Sequence, residues 1–185
     1  MTIISLIRPN IEGLPAYEDA LRRGWSPNTT RNVSGEQIAL LDKLRHAPAR
    51  FLYETYESPT IRMPDGSEME RLPAHDFWIS DGEFCGRLNF RFLRGTEELP
   101  PHVSGHIGYS VVPWKRRLGC ATQALRLVLP VARSEGLSRV LVTCDDDNVG
   151  SQKVILANGG VFAGETPHET RAGHVKLNYW VPTLP

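Results

Sequence analysis

Between residues 108 and 126 the chain reads GYSVVPWKRRLGCATQALR. A strand-like segment closes at Pro113, the basic residues Lys115, Arg116 and Arg117 follow, and Gly119 opens a helical pattern. The first amides of a helix have no backbone partners and point outward, so they suit an anion. Gly119 lets a phosphate approach the backbone closely, and Ala121 keeps the first turn small. Guanidinium groups at Arg116 and Arg117 add charge-assisted hydrogen bonds. The chemistry this junction suits is a diphosphate clamp. Other phosphate loops do not fit, because neither Gly-x-x-x-x-Gly-Lys-Ser/Thr nor Gly-x-Gly-x-x-Gly with an acidic partner is present.

Further along, Asp145, Asp146 and Asp147 follow a strand end and could ligate a metal. No fourth ligand accompanies them, and no metal is expected. Cys85, Cys120 and Cys144 are odd in number and widely spaced, which favours a reducing, cytoplasmic setting over a disulfide framework. Glu54 and Glu57 stand among aromatics and could meet a cationic acceptor or act as base; an amphipathic surface explains them equally well.

These residues need a scaffold, and 185 residues suffice for a single domain over 1–185 with a sizeable core. Lys+Arg and Asp+Glu both count 21, so no basic excess exists for a general nucleic-acid binder. No apolar run approaches the ~18 residues of a membrane span, and MTIISLIRPN reads as a first strand rather than a signal peptide.

Helical spacing marks 11–24, and Ser34 with Gln37 forms a capping box ahead of a second helix closing near Pro48. Residues 50–57 have no clean period. The prolines and Asp65-Gly66 of 58–75 predict a hairpin tip or mobile loop. FWIS (77–80) and FCGRLNFRFL (84–93) predict antiparallel strands, the second alternating Leu88, Phe90, Phe92 with a wetter Arg87, Asn89, Arg91 face. Another strand is expected at 103–112. Ala121, Leu125, Val128 and Ala132 stripe a helix that Gly136 stops, with Pro130 either kinking or dividing it. The strand at 139–144, a short helix near 149–158 and strands near 161–165 and 173–181 complete an α+β domain. Strand–helix–strand order predicts a crossover with parallel pairing.

The residues Arg116-Arg117-Leu118-Gly119-Cys120-Ala121 match Arg/Gln-x-x-Gly-x-Gly/Ala, the signature of the GNAT superfamily of acyl-CoA N-acyltransferases. HIGYSVVP before it and TCDDDNVGSQKVILANGG after it resemble one bacterial branch of predicted acetyltransferases, over about 102–165. The resemblance implies a mixed, twisted sheet of about six or seven strands flanked by about four helices, with acetyl-CoA as cofactor. It places the diphosphate on the amides of Arg117, Leu118, Gly119, Cys120, Ala121 and Thr122, with Arg116 beside them. It makes the strand ending at Val111 and Val112 part from 139–144, helped by a bulge around 108–111, and sets the acetyl carbonyl near the Val112 amide. Asn148 and Ser151 would flank the pantetheine and thiol.

Where many relatives carry a tyrosine seven residues after the asparagine, this chain has Ile155, so either Ser151 is the acid, directly or through water, or the thiolate leaves unaided. His106 and Glu54 are the candidate bases, each against the plainer reading of a buried histidine or a surface glutamate. The implied function is acetyl transfer to an amine, on a small molecule or a protein, with no nucleic-acid or membrane partner and a homodimer in keeping with the fold. A non-catalytic acyl-CoA sensor is the alternative, and a nucleotide-phosphate binder a second rival.

Overall fold

The computed structural model describes residues 3–27, 34–62, 66–168 and 170–184. Strand β1 (Ser5–Ile7) precedes helices α1 (Leu14–Arg22), α2 (Ser34–His46) and α3 (Pro48–Leu52). The side chains of Ser34 and Gln37 lie outside the described residues, and with them the capping box. From α3 the chain runs into a single π-helical turn, Tyr53–Glu57. Within 58–75, β2 (Thr60–Arg62) and β3 (Glu68–Glu70) pair antiparallel, while Pro64 and Asp65 of the expected tip lie outside the described residues. Four long strands carry the centre: β4 (Ala74–Ser80), β5 (Phe84–Arg91), β6 (Ile107–Val111) and β7 (Arg139–Asp145). Helix α4 (Cys120–Ser134) joins β6 to β7, and α5 (Val149–Leu156) leads to β8 (Val161–Pro167) and β9 (Val175–Pro182).

Seven strands make two antiparallel groups, β1-β4-β5-β6 and β7-β9-β8. Helices α1 to α3 cover one face and α4 with α5 the other, an α+β arrangement. Period-two alternation explains the two cores. Ile79, Leu88 and Phe90 pack with Leu125, Val128 and Ala132 of α4 and Ile155 of α5. Trp78 and Val112 pack with Tyr17 and Leu21 of α1, Trp25 and Phe51.

The predicted stripe is the buried face of α4, and the helix continues through Pro130 rather than dividing there. Gly136, at φ 92°, accepts the left-handed turn beyond its end.

Two expectations about the centre are corrected. Strand β6 starts at Ile107, and its register against β5 is unbroken from Phe90↔Ile107 to Gly86↔Val111, so no bulge occurs there. The register shift falls between Ile79 and Ser80 instead. Nor do β6 and β7 pair as a parallel ladder. They meet where His106 N–H donates to the Leu141 carbonyl (2.7 Å) and Leu141 N–H donates to His106 Nδ1 (2.9 Å). Beyond that joint the two strands part.

Candidate functional site

The parting opens into a cavity of about 680 Å³ between β6, the start of α4 and α5. Gly119 is the N-cap of α4 at φ 82°, and no side chain caps this end. The first helical bond runs from Gln123 N–H to the Gly119 carbonyl (3.0 Å). Among the described residues the amides of 117–122 therefore have no protein partner. Arg117 holds φ 63°, a left-handed conformation that costs a non-glycine residue about 1–3 kcal/mol and that clusters at ligand clamps. Arg116 Nε donates to the Val111 carbonyl (3.2 Å), tying the clamp to the end of β6. Lys115 also lines the cavity, but its ammonium is taken up by Glu83 (2.8 Å) and Asp81 (2.9 Å), and those bonds raise it well above the ordinary lysine range.

Val111, Arg116, Arg117, Gly119, Cys120, Ala121, Thr122, Asn148 and Ser151 all line the cavity, as the motif requires. Asn148 caps α5, its Oδ1 accepting from Ser151 N–H (3.0 Å). Cys120 is structural, its thiol reaching the Lys115 carbonyl (3.5 Å). Leu118 contributes an amide only, for its side chain is exposed and outside the lining.

Val112 is a correction. Its side chain is fully buried in the second core, and its N–H donates to the Cys85 carbonyl (2.9 Å). In an antiparallel ladder successive residues turn their backbone groups to opposite sides. With Val112 bonded to β5, Val111 and Tyr109 turn theirs toward the gap. The donor at the mouth of the cavity is thus the Val111 amide.

Both candidate bases also fail. His106 is wholly buried, and the lone pair of its Nδ1 is engaged by Leu141 N–H. Burial, reinforced by the positive charge of Arg91, depresses its pKa to about 4. It is a strut between the sheets. Glu54 gives one carboxylate oxygen to Lys43 (2.6 Å) and the other to Arg50 (2.6 Å), and these hydrogen bonds pull it down to about 2.

Ile155 packs with no exposure in the first core, where Gly160 leaves it room, so the position that carries tyrosine elsewhere does not face the cavity. A tyrosine comes instead from β6. Tyr109 lines the cavity, and its hydroxyl is buried beside Ser151 with no hydrogen bond of normal geometry. Burial pushes it up to about 12, against a smaller lowering by a weak side-chain interaction with Ser151. It therefore stays a neutral donor at working pH. A buried hydroxyl left unbonded costs about 1–3 kcal/mol, which a ligand acceptor would recover. The sequence signal was its place two residues before Val111, on the same edge of the strand.

Asp146, Asp147 and His174 bring ligand atoms within 4.8 Å of one another. Their groups already pair: Asp146 with His174 (2.9 Å) and Asp147 with Arg171 (2.7 Å). They brace the turn between β7 and α5.

Unpaired amides at a helix start, opening onto a cleft between parted strands, define a fold built to lay a phosphate-bearing arm along a sheet. The chain belongs to the acetyltransferase (GNAT) domain family, whose profile matches residues 49–161, and acetyl transfer is its class of activity. Solved structures share the fold over nearly its whole length. A microcin self-immunity acetyltransferase, MccE, in complex with acetyl-CoA and AMP is 14% identical with a TM-score of 0.62, covering 97% of this chain and 92% of that one. RimJ from Mycobacterium smegmatis, in complex with a CoA disulfide, is 20% identical at TM-score 0.62, over 97% and 81%. RimL, a ribosomal alpha-N-protein acetyltransferase in complex with coenzyme A, is 16% identical at 0.62, over 98% and 95%. No curated protein matches the sequence.

Proposed function

We propose that the protein transfers the acetyl group of acetyl-CoA directly to an amine, both bound at once. The observation that carries this reading is the run of unpartnered amides at 117–122, continuous through one cavity with Val111, Asn148 and Ser151. The residues fit the donor: six free amides and two guanidinium groups suit a diphosphate, and Gly119 carries no Cβ to crowd it.

When bound, acetyl-CoA supplies a thioester whose acyl carbon is open to an amine. The chain holds and orients it. Arg116, Arg117 and the 117–122 amides take the diphosphate, and Asn148 and Ser151 flank the arm. The Val111 N–H, turned toward the gap, would supply a fixed donor for the oxygen on which negative charge develops, needing no reorganisation. Tyr109 O–H, beside Ser151 in the cavity lining, would be the donor available to a departing thiolate. An alkylamine is mostly protonated at neutral pH. With His106 and Glu54 both engaged, its proton leaves through water rather than to either of them. Most of the rate comes from positioning.

Calorimetric titration with acetyl-CoA, followed by thiol release with pooled amines and mass spectrometry of the product, tests the reading. Initial-rate lines that intersect are expected, because both substrates bind before reaction; parallel lines would mark a covalent intermediate. Acetyl-CoA bound without turnover across a broad panel would make the protein a sensor. ATP or NAD displacing CoA would make it a nucleotide binder.

A further inference from the structure

The face of the sheet that carries Trp78 and the second core also carries charges, set beside the buried Tyr17 and Tyr56 and outside the clamp. Register places Asp76, Asn89 and Gly108 in one row across β4, β5 and β6. Residues directly opposite in a ladder point to the same face, so Arg87 and Arg91 flank this row on β5. Asp76, whose side chain is only 8% exposed, accepts from Asn89 (3.1 Å) and Arg87 (3.4 Å). Arg71 joins them from beyond β3, its guanidinium held by the carbonyls of Thr55 (2.8 Å) and Glu54 (3.0 Å). Arg91 spends its Nε on the Gly105 carbonyl (2.8 Å). Above Gly108 the face is open, with nothing within 4 Å of where a side chain would begin.

The charges do not balance. Arg71, Arg87 and Arg91 all act on Asp76, and Asp76 is the carboxylate that acts on Arg91. Half-buried guanidinium groups without anions are unfavourable, and Arg87 further repels Arg91. A ligand anion would complete the set. Gly108 stands on β6 three residues before Val111, so this row lies one short step along the strand from the cavity lining that begins at Tyr109.

We propose that the acceptor is an amine that also carries an anionic group, a carboxylate or a phosphate, held over Gly108 by Arg87 and Arg91. This rests on the acetyl-transfer reading above. Asp76 orients Arg87 and closes the pocket to acceptors with a second anion on that side. The acceptor's amine then lies toward Val111, on the far side of the parted strand from the diphosphate clamp.

The test compares ω-amino acids of two to six carbons with their primary amides, and aminoalkyl phosphates with the matching amino alcohols. Thiol release and calorimetric binding are both read. Acids or phosphates should surpass their neutral partners at least tenfold in kcat/KM and in affinity, and which series wins identifies the anion. Arg91→Met should raise KM for the anionic acceptor at least tenfold while acetyl-CoA affinity stays within twofold. Equal use of neutral and anionic partners, or an unchanged preference in Arg91→Met, overturns the proposal. Binding of the amino acid or aminoalkyl phosphate alone separates the two readings: anion-dependent binding without any acetyl-CoA affinity sinks the transfer reading and leaves only an anion site at Arg87 and Arg91.

Discussion

Arg117 and Tyr109 carry local costs that a ligand would offset. Arg117 sits at φ 63° on the exposed rim of the clamp. Glycine adopts that conformation freely, so Arg117→Gly should raise the melting temperature by relieving about 1 kcal/mol of strain. The same change should weaken acetyl-CoA several-fold by removing one guanidinium. A melt and a titration read both signs, and a variant that gains stability without losing affinity would make the strain incidental. Tyr109→Phe removes the hydroxyl and keeps the ring. Turnover should drop roughly 10²-fold, the size of one lost transition-state donor, while acetyl-CoA affinity stays within twofold. A proportional loss of affinity would mean that Tyr109 only shapes the cavity.

At the scale of elements, the joint between β6 and β7 depends on His106 remaining neutral. An unfolded histidine titrates near ~6.5, whereas this one stays neutral down to about 4. Between those values the unfolded chain binds a proton that the folded chain refuses, so stability is full above the upper value and falls as pH drops through the window. His106→Asn should flatten that decline, measured as melting temperature from pH 7 to 4.5, at the cost of a lower plateau. The elements themselves were largely legible. The stripe through Leu125, Val128 and Ala132 defined α4, and Asn148 was readable as a cap. One-residue parity was not legible: whether Val111 or Val112 faces the gap depends on which partner β5 presents, and that is a tertiary fact. Tyr109 escaped notice for the same reason. The wet face of Arg87, Asn89 and Arg91 was visible as alternation, but its charge imbalance needed Asp76 brought across from β4 and Arg71 from beyond β3.

For the whole molecule, a ligand that bridges the two strand groups stabilises them together. Acetyl-CoA at a hundredfold excess over its dissociation constant should add about 2.7 kcal/mol, seen as a raised melting temperature. Gly119→Val places a branched side chain at φ 82° in the clamp and should abolish that rise while the protein remains folded at a slightly lower temperature. A normal ligand-induced shift in the variant would move the diphosphate away from α4.

The unequal use of the two edges of β6 leaves a signature in solvent exchange. Strands at the middle of a protein ordinarily trade their amide hydrogens for deuterium slowly throughout. Here protection should alternate along one strand: Val112, hydrogen-bonded to Cys85, and its even-numbered neighbours slow, Tyr109 and Val111 fast. A central strand would thus carry the kinetics of a border strand on every second residue, and saturation with acetyl-CoA should silence the fast ones.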